Sequence, residues 1–340
     1  MKFLQRKGMP EAMSIRIVVC GRPKEQDIHV EQTLLQQGLP DAEVVFRACK
    51  TTDDVKAAAA DADALLISFA PVDESVLAAA PRLRCIAISA TGYGNVDVQA
   101  ATAHGVAVCP IGEYCTEEVA DHTLALLLAS LRHLKHYTRE IEQEAVWAFD
   151  SAVCRRLRGL TLSVFGFGRI GRAVAKRAQA FGIRVLAVDP YVSEEVFASL
   201  HVTPVDIDTA LREADIITNH MNQTSGNEDF FNLHAFRKCT RKPLFLNVAR
   251  GASVNEDDLC TALNEGLLTG AALDVLRDEN PDLHISPLVG RENVLLTPHA
   301  AFYSQESLAD LRQIPCDNLI HFFNGEYEQL QILVNPKVLA

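Results

Sequence analysis

Gly166-Phe167-Gly168-Arg169-Ile170-Gly171 constrains this chain more than any other stretch of it. A G-x-G-x-x-G spacing alone says little. Here an apolar run, Leu160 to Phe165, precedes it, and a helical pattern follows with Ile170, Val174, Ala178 and Phe181 on one face. A second apolar run, Val185 to Val188, ends in Asp189, 18 residues beyond Gly171. The order is strand, tight turn, helix, strand, acid. Glycines in such a turn let the backbone approach a pyrophosphate, which rests on the free N–H groups of the helix N-terminus. Asp189 can accept from a ribose 2′-hydroxyl and repels a 2′-phosphate; Pro190 and Tyr191 offer no cation to hold one. The pattern predicts a dinucleotide site for NAD rather than NADP, contacted by Gly166, Gly168, Arg169, Ile170, Gly171 and Asp189.

The turn lies mid-chain, and 340 residues accommodate two domains of ordinary size. The net charge of −12 argues against nucleic acid, which needs a basic face to neutralise phosphates. The two basic clusters, Arg155 to Arg158 and Arg237 to Lys242, each precede a candidate strand and read as solvated loops or helix ends. Nine cysteines form no C-x-x-C pair and no zinc spacing with histidine, so they read as reduced core residues of a cytoplasmic protein with no metal site. Met1 to Ala12 lacks an apolar core and is expected to be a loose extension, not a secretory signal. The longest apolar stretch, Leu124 to Leu131, is too short to span a bilayer, so no membrane partner is expected.

Strand and helix signals alternate along the first hundred residues. Strands are expected at Ile15–Cys20, Val44–Ala48, Ala64–Ser68, Cys85–Ser89 and Val106–Cys109, with helices such as Ile28–Gln37 and Asp73–Ala80 between them. Such alternation implies a parallel sheet covered on both faces. A long helix is expected from Thr116, as its cap, to about Tyr137. It is apolar over most of its circumference and so needs burial on several sides. A second α/β unit follows, with strands at Leu160–Phe165, Val185–Val188, Ile216–Thr218, Leu244–Val248, Gly270–Leu273 and Val294–Leu296. The fold class is therefore α/β, with two doubly wound parallel-sheet domains, and a terminal helix is expected over Glu306–Asn324.

Ligands of open α/β sheets bind beyond the carboxyl ends of strands. Three ionisable residues stand there in the second unit: Arg250 in Asn247-Val248-Ala249-Arg250-Gly251, Glu279 after Leu273, and His299 in Thr297-Pro298-His299-Ala300. With Ala90-Thr91-Gly92-Tyr93-Gly94-Asn95-Val96-Asp97 and the glycine turn, these motifs resemble the D-isomer-specific 2-hydroxyacid dehydrogenases over about residues 14 to 335. Within that family, His299-Ala300-Ala301-Phe302-Tyr303-Ser304 is most similar to the branch of the C-terminal-binding-protein corepressors and their bacterial dehydrogenase relatives. Some members' features differ here: Gly94 stands where Asp is common, Asn280 separates Glu279 from Pro281, and His220-Met221-Asn222 replaces His-x-Pro.

The resemblance implies a flavodoxin-like substrate domain, residues 1–117 and 301–340, with an inserted Rossmann NAD domain, 118–300. It implies an active site in the cleft between them and a two-fold homodimer. It implies an NAD-dependent D-2-hydroxyacid dehydrogenase exchanging hydride with a small 2-keto acid such as hydroxypyruvate or glyoxylate. Catalysis falls to Arg250, Glu279 and His299. Arg250 offers a planar fork for the substrate carboxylate, His299 is the proton donor and acceptor, and Glu279 stabilises imidazolium and fixes its ring. Backbone N–H groups at Tyr93 and Gly94 are expected to hold the other carboxylate oxygen, and Asp274 to bond the nicotinamide amide. Glu279 argues against formate dehydrogenases, which pair histidine with glutamine. The chain also ends about 40 residues after His299, too soon for the regulatory domain of many phosphoglycerate dehydrogenases. A second reading from the same branch is an NAD(H)-responsive dimeric scaffold, corepressor-like, with little turnover.

Overall fold

A computed structural model of the chain describes residues 14–21, 28–224 and 226–339. The extension expected at Met1 to Ala12 lies outside them. The chain divides into two compact units, one running to Tyr114 and resuming at Ser304, the other spanning Cys115–Tyr303. The division falls at 114 rather than 117 and at 303 rather than 300.

The first unit alternates β1 (Arg16–Gly21), α1 (His29–Gly38), β2 (Glu43–Ala48), α2 (Thr52–Ala59), β3 (Ala64–Ile67), α3 (Glu74–Ala78), β4 (Cys85–Ile88), α4 (Val98–Ala103) and β5 (Ala107–Pro110). All strand pairs are parallel, in the order β2-β1-β3-β4-β5, which is flavodoxin-like. Strands buried on both faces read as unbroken apolar runs. Along β1, Ile17 and Val19 enter the core on one face of the sheet and Val18 and Cys20 the core on the other.

The chain returns to this unit through the terminal helix, which runs over Gln305–Asn324 and begins with a capping box at Ser304. The helix packs on α1, where the Arg312 guanidinium forks onto both carboxylate oxygens of Glu31, at 2.6 and 2.5 Å. The segment beyond it covers β5. Val334 N–H donates to the Val108 carbonyl at 3.1 Å. The Asn335 amide then acts as a missing strand residue: its Oδ1 accepts from Val108 N–H at 3.0 Å and its Nδ2 donates to the Val106 carbonyl at 2.8 Å.

The second unit opens on two helices, α5 (Thr116–Leu131) and α6 (Leu134–Glu144), instead of one helix to Tyr137. His133 takes a left-handed φ of 52° and ends the run. Thr116 is the first residue of α5 rather than its cap; Cys115 occupies the cap position and makes no side-chain capping bond. The apolar circumference of α5 is explained within its own unit. Val119, Ala120, Thr123, Leu124, Leu126 and Leu127 are buried, and α5 packs on the helix Arg169–Ala180.

The unit continues through β6 (Thr161–Phe165), α7 (Arg169–Ala180), β7 (Arg184–Val188), α8 (Glu194–Ser199), β8 (Thr203–Pro204) and α9 (Ile207–Glu213). It closes with β9 (Ile216–Asn219), α10 (Leu233–Arg237), β10 (Leu244–Asn247), α11 (Glu256–Asn264), β11 (Gly270–Leu273), β12 (Val294–Leu296), and the terminal helix already described is α12. Strand order is β12-β11-β10-β9-β6-β7-β8, so direction reverses between β6 and β9, the switch point of a Rossmann sheet. Phe181, expected on the buried face of α7, is the residue that ends the helix and is exposed.

Asn335→Ala strips partners from the buried Val108 N–H of β5 and the buried Val106 C=O just before it. It is expected to cost about 2–4 kcal/mol in urea unfolding; a loss under about 0.5 kcal/mol would show that the tail does not close this strand.

Candidate active site

The glycine turn joins β6 to α7, and its three glycines answer to different constraints. Gly166 has φ of 85°, and a Cβ there would lie 2.7 Å from the His220 carbonyl carbon and the Met221 nitrogen. A Cβ on Gly171 would meet the Gly166 oxygen at 2.2 Å. Both are therefore required by packing inside the unit. A Cβ on Gly168 would meet nothing within 4 Å. Gly168 is the N-cap of α7 and no side chain caps the helix, which leaves an open backbone surface at its positive end. That is the space a dinucleotide pyrophosphate needs, and Arg169, Ile170 and Gly171 form the first turn beneath it.

Asp189, at the end of β7, accepts from Phe167 N–H with Oδ2 at 2.8 Å and from Tyr191 N–H with Oδ1 at 3.0 Å. Its carboxylate thus shapes the turn as well as standing beside it, a task the sequence pattern did not reveal.

The ends of β10, β11 and β12, which are neighbours in the sheet, carry the ionisable set. His299 and Glu279 meet: Nδ1 lies 2.7 Å from Oε2. An ionised carboxylate only accepts, so Nδ1 carries a proton and Nε2 is the ring atom left for other chemistry. His299 is held at a left-handed φ of 51°, a conformation that is costly for a residue with a side chain. Arg250 is exposed, and its Nη1 donates to the Ala249 carbonyl at 2.7 Å. Gly251 brings the Arg250 turn against the segment leading to Glu279. A Cβ on it would lie 2.0 Å from the Leu276 carbonyl carbon and oxygen.

Asp274 supports the His299 loop. Its side chain is fully buried and is turned into that loop. Oδ1 accepts from Thr297 Oγ1 at 2.6 Å and Ala300 N–H at 2.9 Å, and Oδ2 from Ala301 N–H at 2.9 Å. Its own carbonyl accepts from His299 N–H at 2.7 Å. His122 Nε2 stands 3.0 Å from Thr297 Oγ1; since that hydroxyl donates to Asp274, the imidazole is the donor to it.

Tyr93 and Gly94 belong to the first unit, on an exposed loop tied to the Phe69–Pro71 loop by Asn95 Nδ2 donating to the Ala70 carbonyl at 2.8 Å. A Cβ on Gly94 would meet nothing within 4 Å. Among the described residues no cluster of His, Cys, Asp and Glu could hold a metal ion.

Residues 124–301 match the family described as D-isomer specific 2-hydroxyacid dehydrogenase, NAD binding domain. The chain belongs to the D-isomer-specific 2-hydroxyacid dehydrogenases. Among its relatives in this family, the glyoxylate reductase of Korarchaeum cryptofilum is 37% identical over 285 residues, 82% of this chain and 84% of that one. The hydroxypyruvate reductase of Blautia hydrogenotrophica is 32% identical over 289 residues, 83% of this chain and 89% of that one. The crystal structure of D-lactate dehydrogenase from Aquifex aeolicus, complexed with NAD and lactic acid, superposes with a TM-score of 0.84 at 27% identity, covering 94% of this chain and 99% of that one. The chain spans about half the length of the D-3-phosphoglycerate dehydrogenases it also matches. As a member of this dehydrogenase family, the protein is an NAD-dependent oxidoreductase of 2-hydroxy acids.

His220, beside the glycine turn, has Nε2 3.0 Å from Thr218 Oγ1, and desolvation pushes its pKa down to about 3. The folded dehydrogenase therefore keeps this ring neutral while the unfolded chain protonates it near pH 6.5. Its contribution to stability is complete above that pH and is lost as pH falls toward 3. Between pH 7 and 4.5 the protein is expected to lose about 2–3 kcal/mol more than a His220→Gln variant, by urea unfolding at each pH. Parallel losses would contradict this.

Proposed function

We propose that the protein reduces a small 2-keto acid of the glyoxylate or hydroxypyruvate class to the D-2-hydroxy acid. In this reading residues 115–303 hold the cofactor and the flavodoxin-like unit supplies the substrate side. The observation that carries it is the 2.7 Å contact of His299 Nδ1 with Glu279, in the unit that bears the glycine turn. The glycine turn would hold NADH, with Asp189 available to a ribose hydroxyl, and the bound cofactor would supply the hydride. Arg250 grips the substrate carboxylate with two parallel N–H bonds and polarises the C2 carbonyl. The N–H groups of Tyr93 and Gly94 take the second carboxylate oxygen. As C2 gains hydride, the carbonyl oxygen takes the proton from His299 Nε2, and the imidazole is left neutral with Nδ1 still donating to Glu279. Oxidation runs the same proton back. The relatives named for glyoxylate and hydroxypyruvate support a small substrate.

The test is NADH oxidation against glyoxylate, hydroxypyruvate, pyruvate and 3-phosphohydroxypyruvate. The first two are expected to be turned over best. His299→Gln is expected to lower kcat by about 10²–10⁴-fold and leave NADH affinity within about twofold. Arg250→Lys, which keeps the charge but loses the fork, raises the keto-acid KM. Preference for the phosphorylated acid, or near-normal turnover by His299→Gln, would overturn the reading.

The proposal includes a homodimer in the cytoplasm. All nine cysteines are free thiols, which suits a reducing compartment. Trp147, Phe149 and Val153 are 89%, 90% and 86% exposed, and Leu134 and Ile141 of α6 are exposed as well. So much apolar surface on one segment marks an interaction site, and a two-fold axis would let each copy cover the other's. Sedimentation at low micromolar concentration is expected to give a dimer and Trp147→Asp with Phe149→Glu a monomer. A monomeric unmodified protein would contradict it.

A further inference from the structure

The mechanism leaves unused a buried polar network between the glycine turn and the Arg250 turn. Asn219 ends β9 and Asn247 ends β10, and they are paired in the sheet. With Ser253 they are essentially inaccessible to solvent. An asparagine in a dry core is costly unless each polar atom is matched, and Asn219 matches all of its own. Its Nδ2 donates to Asn247 Oδ1 at 3.0 Å and to Ser253 Oγ at 2.8 Å, and its Oδ1 accepts from Met221 N–H at 3.1 Å.

Each of those bonds leads somewhere. Ser253 Oγ donates to the Arg250 carbonyl at 2.7 Å, and Asn247 Nδ2 donates to the same carbonyl at 3.0 Å. Asn247 Oδ1 also accepts from Ala249 N–H at 3.1 Å. The backbone on both sides of the Arg250 peptide is thus held by groups that Asn219 holds in turn. On the other side, Met221 N and the His220 carbonyl lie so close to Gly166 that no Cβ fits between them. One side chain therefore bridges the loop against the dinucleotide turn and the turn that bears the substrate arginine.

We propose that Asn219 is a positioning residue for substrate: it sets the Arg250 turn from the cofactor loop, so that the guanidinium meets the keto-acid carboxylate. This rests on the reading of Arg250 as the carboxylate ligand. Asn219 touches neither substrate nor cofactor in this account and acts only through Asn247, Ser253 and Met221. Ser253 is the relay on one branch and Asn247 on the other.

The test uses the full-length protein with NADH and glyoxylate, comparing Asn219→Leu, Ser253→Ala, their double variant and Arg250→Lys with the unmodified chain. Asn219→Leu is expected to raise the glyoxylate KM on the order of tenfold, since small misplacement of a positioning group is amplified in the site. Its kcat should fall less than about threefold, and NADH affinity without keto acid, read by NADH fluorescence, should stay within about twofold. Ser253→Ala should raise KM by a smaller factor. The double variant should be no worse than Asn219→Leu alone, because residues in one network do not add. Multiplying factors, or an NADH affinity that falls as far as KM rises, would overturn the proposal. If Asn219→Leu fails to fold, Ser253→Ala decides: raised KM with unchanged NADH affinity supports the chain of bonds, and unchanged KM overturns it. Arg250→Lys separates the two ideas. A normal KM in that variant removes the arginine reading and the inference together, whereas a raised KM with Asn219→Leu silent overturns the inference alone.

Discussion

Three consecutive backbone N–H groups, those of His299, Ala300 and Ala301, end on one residue, Asp274. The first goes to its carbonyl and the other two to its carboxylate. A carboxylate buried without exposure must be fully paired, and here the pairing partners are the loop that carries the site's histidine. The left-handed backbone at His299 costs on the order of 1–3 kcal/mol. It persists because the neighbouring N–H groups have no better partner. Thr297 and, behind it, His122 of α5 complete the shell around Asp274. The loop after β12 is in this way fastened to the end of β11, and the imidazole is turned to Glu279.

The remainder of the site follows from sheet order. Arg250, Glu279 and His299 follow three strands that lie side by side, so each loop has the next for a neighbour. Gly251 is the point of closest approach, where any side chain would enter the Leu276 peptide. The cofactor turn is built by similar means. Two of its glycines are required by contacts within the unit. The third, Gly168, has no such requirement, and its freedom is what leaves backbone open to a ligand. The same residue type thus serves packing at three positions and leaves open backbone at a fourth.

Much of this was legible in the sequence, for physical reasons. Doubly covered parallel strands are short apolar runs, so β3, β4, β9, β10, β11 and β12 stand within a residue of where those runs fall. Chemistry-bearing residues just past such runs are at the carboxyl ends of strands by topology, which is why Arg250, Glu279 and His299 could be read as candidates. What was missed depends on tertiary detail. The two-residue strand β8 lacks an apolar run, and its pairing is set by β7 alone. The break at His133 is a left-handed turn at a residue that gives no glycine or proline signal. The orientation of Asp274 depends on donors 23 to 27 residues downstream, which no local pattern encodes. Asn219 gave a faint signal, a polar residue ending the run Ile216-Ile217-Thr218, but its partners lie in two other segments.

In the proposed mechanism Asp274 and Glu279 together fix which nitrogen of His299 faces the chemistry. Proton–nitrogen correlation spectra of protein carrying ¹⁵N-labelled histidine, with His299→Gln to assign the signal, report the tautomer of the neutral ring directly. The Glu279 contact predicts a proton on Nδ1 and a bare Nε2. A neutral His299 with its proton on Nε2 would mean that Glu279 does not hold the ring and would contradict the mechanism built on that contact.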